Sequence, residues 1–189
     1  MQRKPKRCAI CRERFTPFST LSRVCGTPCA IQWATLQRAK AERKQTREWR
    51  KANMTRGDLL KKAQTEFNRF IRLRDNDKPC ISCGVTETGV DGKGGRFDCS
   101  HYRSVGSAPE LRFEESNAHK ACKKCNQYLS GNIVEYRAGL IVRIGLEKLA
   151  WLEGPHPVQK YSRDDLREIA DKYRASANEL NHNLKGNEQ

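Results

Sequence analysis

A chain of 189 residues with 37% apolar and 31% charged side chains lacks the material for one large core, and points instead to small subdomains that need staples. Its net charge of +15 is unevenly spread: residues 1–56 hold 15 Lys/Arg against 3 Asp/Glu, a net +12, and the remainder 22 against 19, a net +3. A basic arm on a near-balanced body is an electrostatic footprint for nucleic acid, and the arm lacks the broad apolar face of a membrane-surface helix.

The basic start, Met1–Arg7, is followed by no apolar run, so neither a signal peptide nor a membrane span is expected. That places the chain in the cytoplasm, where thiols stay reduced and nine cysteines call for metal rather than disulfides. Residues 1–29 contain Cys8-x2-Cys11-x13-Cys25-x3-Cys29, two close pairs that can grip opposite sides of a tetrahedral Zn²⁺. Four sulfurs close the coordination shell, so such a zinc is structural. Lys4, Lys6, Arg7, Arg12 and Arg14 around it are expected to lower the thiol pKa values.

Residues 30–56 contain no Gly or Pro and too few apolar residues to bury a face, which predicts a solvated basic helical linker. Trp33 and Trp49 on it suit stacking on bases as well as packing on a neighbour. Residues 57–132 form the next module. It begins with a helix N-capped by Asp58 and running to about Arg74, with Leu60, Ala63, Phe67, Phe70 and Ile71 on its core face. A short hairpin is expected around residues 97–113. Residues 133–189 read as helical: Ile133–Leu152 stopped by Gly154-Pro155, then a capping box of Ser162 and Asp165 opening a last helix to about Leu184.

Cys80-x2-Cys83 and Cys122-x2-Cys125 supply a second four-cysteine set, again with structural-zinc spacing. The pairs bracket FDCSHYRS (97–104) and ESNAHKACKKCNQYLSGN (115–132). This arrangement resembles the zinc-stapled members of the HNH, or ββα-metal, nuclease family. The resemblance implies a hairpin and a helix around one catalytic metal, a His general base on the first strand, a metal ligand just before it, an Asn that orients the base, and a second ligand on the helix. His101 then matches the base, Asn126 the helical ligand and Asn117 the orienting residue. Ser100 stands where the family often has Asp or His; the nearest carboxylate is Asp98, on the same side of an alternating strand.

The chemistry suits these groups. Phosphodiester hydrolysis needs a water deprotonated near neutral pH, which His can do, and a cation beside the phosphate. Mg²⁺ or Mn²⁺ held by Asp98 and Asn126 oxygens meets the second need. Arg103, Arg112, Lys120, Lys123 and Lys124 are candidate phosphate contacts. His119 reads as structural, Cys99 as a small buried residue, and His156 and His182 as surface residues.

KPCISCG (78–84), HYRS (101–104), APELRFEESNAHKAC (108–122), CNQ (125–127) and SGN (130–132), with the cysteine knuckle ahead and helices behind, resemble the NinG (Rap) family of lambda-like phages over nearly the full length. The family tends to carry His-Lys where this chain has Tyr128-Leu129. Membership implies a phage-encoded recombination endonuclease working in the host cytoplasm on branched DNA such as D-loops and Holliday junctions. The expected fold is α+β, mostly helical, with two small four-cysteine zinc knuckles and one HNH-like module. Partners are branched DNA and no membrane, with a homodimer and other recombination proteins left open. The competing readings are a non-catalytic zinc-dependent DNA-binding adaptor, which Ser100 favours, and an HNH nuclease on ordinary duplex. An RNA-binding adaptor is weaker still, because aromatics are rarely interleaved with the basic runs.

Overall fold

The structure, a computed structural model, describes residues 3–86 and 97–186. The chain divides into two compact units, Met1–Met54 and Thr55–Gln189. Among the described residues no helix is long and apolar enough to cross a membrane.

The first unit opens with two short antiparallel strands, β1 (Lys6–Arg7) and β2 (Arg14–Phe15), in the register Lys6↔Phe15 and Arg7↔Arg14. Arg12 takes the left-handed conformation (φ 67) that closes the turn between them, with its N–H on the Cys8 carbonyl at 3.1 Å. Helix α1 (Thr27–Ala52) follows, with a proline in its first turn, Arg50 and Lys51 in its last, and no buried residue. It is the solvated helix expected within residues 30–56, but it starts three residues earlier and ends at Ala52, Arg56 belonging to the next helix; Trp49 is exposed and Trp33 half-buried.

In the second unit, helix α2 (Arg56–Arg74) is capped by Thr55, not by Asp58. Asp58 is the return partner of a capping box: its N–H donates to Thr55 Oγ1 at 3.2 Å, and its carboxylate accepts the Thr55 N–H at 3.0 Å. The buried face of α2 is Leu59, Ala63, Phe67 and Ile71, so Leu59 replaces Leu60 as its first core residue. Strands β3 (Phe97–His101) and β4 (Ala118–Cys122) pair antiparallel, from Phe97↔Cys122 to His101↔Ala118. The hairpin is therefore wider than residues 97–113. Its second strand is 118–122, and residues 102–117 form a structured connection with two 3₁₀ turns.

Helix α3 (Ile133–Glu153) is broken at Gly145, where φ of 80° is affordable only without a Cβ, and Gly154 caps its end. Helix α4 (Arg163–Gly186) opens with the Ser162–Asp165 capping box read from the sequence, at 2.7 and 3.1 Å. One face of the hairpin packs through Cys99 and Ala118 on Phe67 and Ile71 of α2 and Tyr173 of α4. The other packs through Ala121 on Tyr136, Leu140, Leu149 and Leu152 of α3, together with Cys80, Ile81, Cys122 and Cys125. The architecture is α+β, a two-stranded hairpin held between helices on both faces.

Helix α3 meets the second cysteine cluster closely. A Cβ added at Gly139 would lie 2.1 Å from the Ile81 carbonyl oxygen, a backbone atom that cannot swing away. At Gly57 in the first turn of α2 the nearest atom would be 3.7 Å away. Gly139→Ala is expected to lower the denaturation midpoint by the equivalent of about 1–3 kcal/mol. Gly57→Ala should raise it by roughly 0.4–1 kcal/mol, through a stiffer unfolded chain. Urea titration of both variants checks the opposite signs.

Candidate metal centres and the hairpin site

In each cysteine tetrad the four sulfurs all lie within 4.8 Å of one another. Individual separations are 3.5 Å for Cys11–Cys25, 3.6 Å for Cys25–Cys29 and 3.7 Å for Cys83–Cys122. A tetrahedral zinc with bonds of about 2.3 Å spaces its sulfurs about 3.8 Å apart, so both tetrads fit Zn²⁺. Burial resists ionisation of Cys8, but N–H groups of Ile10, Cys11 and Cys25 outweigh it and bring the thiol down to about 6. Burial likewise opposes the Cys80 thiolate, and the N–H groups of Cys83, Cys122 and Ser82 more than compensate. Backbone donors, rather than the nearby Lys and Arg side chains, thus prepare a first thiolate in each cluster. After Cys125 the chain reverses through Ser130, Gly131 and Asn132, all with positive φ, and the Asn132 amide donates to Cys125 Sγ at 3.8 Å.

His101 ends β3, half-buried, its ring 5.8 Å from that of Phe67. Its Nε2 lies 3.0 Å from the Arg112 carbonyl oxygen, which can only accept; Nε2 is therefore the protonated nitrogen and Nδ1 carries the lone pair. Burial, aided by the Arg112 charge, lowers its pKa below the ordinary value, so the ring is neutral at pH 7. Asn117 is fully buried. Its Oδ1 accepts from the Arg103 N–H at 2.8 Å, and its Nδ2 donates to the carbonyls of Arg103 and Leu111 at 3.0 and 3.1 Å. Asn117 thus holds the loop whose next carbonyl, Arg112, holds His101; it acts on the ring through that loop and does not touch it.

Asp98 lies on the opposite face of β3. Its Oδ2 accepts from Asn126 Nδ2 at 3.1 Å and from Gln127 Nε2 at 2.7 Å. Asn126 sits on a π-helical turn, Lys124–Tyr128, that starts beside the last zinc-type cysteine. Turning the amide nitrogens toward Asp98 leaves the amide oxygens as acceptors, an oxygen-only set that suits a hard cation. Asp98 shares the face of Ser100 but is displaced from it by two residues, about 6.8 Å along an extended strand. Asp98 and Asn126 are therefore brought together, and His101 stands apart from them across the strand.

Of the five candidate phosphate contacts, Lys120, Arg103 and Arg112 serve the fold itself. Lys120 is 5% exposed, with Nζ on the Asn76 carbonyl at 2.8 Å and over the Phe97 ring, so it is corrected to a packing residue. Arg103 donates to the carbonyls of Leu152 and Gly154 at 3.1 and 3.0 Å, closing the end of α3, and Arg112 donates to Gln64 at 3.1 Å. Lys124 is exposed and Lys123 half-exposed. His119 is buried; its Nδ1 is 3.4 Å from Tyr136 Oη, and burial first of all brings its pKa down to about 3. Because Tyr136 donates its single proton to the Ser100 carbonyl at 2.9 Å, His119 Nδ1 is the donor in their contact. Burial pushes Cys99 up to about 12, which fits a packed thiol rather than a nucleophile. His182 is exposed; His156 is half-buried against Trp151, with ring centroids 4.5 Å apart.

Two residues of this region were given no role in the sequence reading. Gln127 joins Asn126 on Asp98, and only its place beside Asn126 hinted at it. Asp75, at 0% exposure, accepts from Arg74 Nε and Nη2 at 2.9 Å each, from Lys78 Nζ at 3.1 Å and from the Lys120 N–H at 3.1 Å. Burial opposes its charge, and these donors hold it ionised far below the usual carboxylate range.

A family model described as "Bacteriophage Lambda NinG protein" matches residues 1–183. The chain belongs to the NinG family. It is 38% identical over 193 residues to Protein ninG of Escherichia phage 933W, covering 93% of each chain. To the ninG proteins of Salmonella phage P22 and Escherichia phage lambda it is 36% identical, covering 90% of both chains in the first case, and 95% of this chain and 96% of the relative in the second. No solved structure matches. The likeness to these phage relatives thus spans nearly the whole chain.

The zinc fit has a direct check. The purified chain should carry two zinc ions by elemental analysis, and Cys122→Ser only one, with early loss of the second unit's cooperative unfolding. Two zinc ions retained after Cys80, Cys83, Cys122 and Cys125 are all changed to Ser would show that the second tetrad is not a metal centre.

Proposed function

We propose that this NinG protein is a metal-dependent endonuclease that hydrolyses phosphodiesters in branched DNA, with the hairpin as its active site. The observation that carries the reading is the state of His101: neutral, with Nε2–H fixed on the Arg112 carbonyl and Nδ1 left as a base. Its resemblance to the HNH base and the bracketing cysteine pairs support the same assignment. In this reading His101 Nδ1 takes the proton from the attacking water, and Asn117 keeps the supporting loop in register. Asp98 and Asn126 are the residues that would hold Mg²⁺ or Mn²⁺, and such an ion would supply positive charge to offset charge building on the phosphate. Lys123 and Lys124 stand at the start of that turn as candidate phosphate contacts. Branch preference, the D-loop and Holliday-junction substrates and a role in phage recombination come from the resemblance alone.

One observation favours a second reading. Asp98 is bridged by two amides on the face away from His101, and Ser100 offers no carboxylate nearer the base. A zinc-dependent DNA-binding adaptor built on a nuclease scaffold would show this arrangement. It would bind junctions and cut none.

The test presents the zinc-loaded protein with a labelled four-way junction, a D-loop and matched linear duplex, with and without Mg²⁺ or Mn²⁺. Cutting confined to the branched substrates and dependent on the added ion is the expected result. Tight junction binding without cutting under either ion would establish the adaptor, and equal cutting of linear duplex would establish an ordinary duplex nuclease.

The pH dependence follows from burial of the base. Since the folded pKa of His101 lies below the ordinary value, the active neutral form persists into mildly acidic solution. The acid limb of the cleavage rate should therefore fall below about pH 6.5, the pKa of a free His. A limb centred above that value in single-turnover pH profiles would exclude His101 as the titrating base.

A further inference from the structure

The first unit holds a feature that the hairpin site does not use. The turn at residues 16–22 places two large apolar side chains in water: Phe18 is 93% exposed and Leu21 84% exposed. It is a fixed turn rather than a loose one. Pro17 is buried, the Ser22 N–H donates to the Ser19 carbonyl at 3.0 Å, and the Ser19 N–H donates to Ser22 Oγ at 3.0 Å. From the strand side, Lys6 Nζ holds the Thr20 carbonyl at 2.6 Å. Beside the turn lies a cleft of about 290 Å³ lined by Lys6, Arg7, Leu21 and Arg23 among others. Residues 3–25 carry seven Lys/Arg against Glu13 alone.

A rigid turn that shows an aromatic ring and a branched aliphatic chain to solvent, beside a cleft lined by Lys6, Arg7 and Arg23, matches the chemistry of an opened nucleic acid. Phosphates meet the cations, and an unstacked base meets the ring. Phe and Leu are among the side chains that wedge into base steps, and aromatic stacking tolerates every base because each has a π-face. In continuous duplex such a wedge must first unstack a step. At a branch point the step is already open, so the cost is absent and the same contact favours branches. An anionic membrane would be met by the same charges, but two apolar side chains give little area to bury in lipid.

We propose that Phe18 and Leu21 form a wedge that stacks on unstacked bases at a DNA branch point, with Lys6, Arg7 and Arg23 holding the phosphates beside it. Lys6 retains two further N–H donors beyond the one given to Thr20. The proposal rests on DNA being the partner, as in the reading above, and does not need cleavage. It gives branch preference a physical origin in the first unit of this chain.

The test uses the full-length zinc-loaded protein without added Mg²⁺, a forked or four-way DNA with 2-aminopurine at the branch, and linear duplex with the same probe inside. The wild type should change the probe's fluorescence at the branch and leave it unchanged in the linear duplex. Phe18→Ala should lose that change and bind the branched DNA about tenfold more weakly, with linear binding kept within about twofold, as expected for one lost stacking contact. Phe18→Trp should keep both. Phe18 touches almost nothing, so equal zinc content will show the variants folded. Unchanged probe signal and affinity in Phe18→Ala would overturn the wedge, as would an equal loss on branched and linear DNA, or a wild type that binds neither. Failure to cut once Mg²⁺ is supplied, with the probe signal intact, would remove the nuclease reading and leave the wedge standing.

Discussion

A carboxylate with no solvent exposure, Asp75, is the point on which the second unit turns. It ends α2, takes the side chains of Arg74 and Lys78, and accepts the N–H of Lys120 in β4, while Arg143 of α3 approaches it at 3.8 Å. Three elements on two sides of the hairpin therefore share one buried negative charge. Such a charge is tolerated only with its partners complete, and removing one partner of a buried pair typically costs about 3–5 kcal/mol. Arg74 extends the tie by donating to the carbonyls of Glu115 and Ala118, at the entrance to β4. The cysteine tetrad fastens the other end of the same strand, through Cys122 and Cys125 to Cys80 and Cys83. Strand β4 is thus held at both ends, and β3 takes its register from β4.

That fixed hairpin gives each face a separate task. The face toward α2 carries Cys99 and His101, the latter beside Phe67, and partial burial there keeps the imidazole neutral. The face toward α3 carries Asp98, close to a turn whose Asn126 and Gln127 are set by the tetrad. An adjacent ligand–base pair on a strand would also point to opposite sides, since side chains alternate. In this chain the nearest carboxylate, Asp98, stands two residues from the position next to His101. The question of catalysis or binding alone comes down to whether a cation at Asp98 and a water at His101 can share one phosphate.

Features governed by local rules were legible in the sequence. Both tetrads followed from cysteine spacing, the long basic helix from the absence of Gly, Pro and an apolar stripe, and the α4 start from its capping box. The pairing of Asp98 with Asn126 was legible only through the family resemblance. Features set by tertiary packing were not legible. The second hairpin strand lies at 118–122 because Cys122 must reach Cys80, and nothing in the local pattern of AHKAC marks a strand. Lys120 read as a surface cation because lysines usually are, yet its N–H serves Asp75 and its Nζ serves Asn76. Asp75 follows the helix with nothing in its neighbours in sequence to mark it as buried. A buried charge is recognised by its partners, and these are separated from it by up to 68 residues of chain.

Parallel binding and single-turnover cleavage of one four-way junction by the wild type, His101→Ala and Asp98→Ala, each with equal zinc content, put the hairpin assignment at greatest risk. If His101 is the base, His101→Ala should bind the junction as the wild type does and cut it about 10²–10⁴-fold more slowly, the usual worth of a positioned general base. Asp98→Ala should bind equally and need far more Mg²⁺ for any cutting. Cleavage at the wild-type rate by His101→Ala would contradict the assignment and place the chemistry elsewhere in the chain.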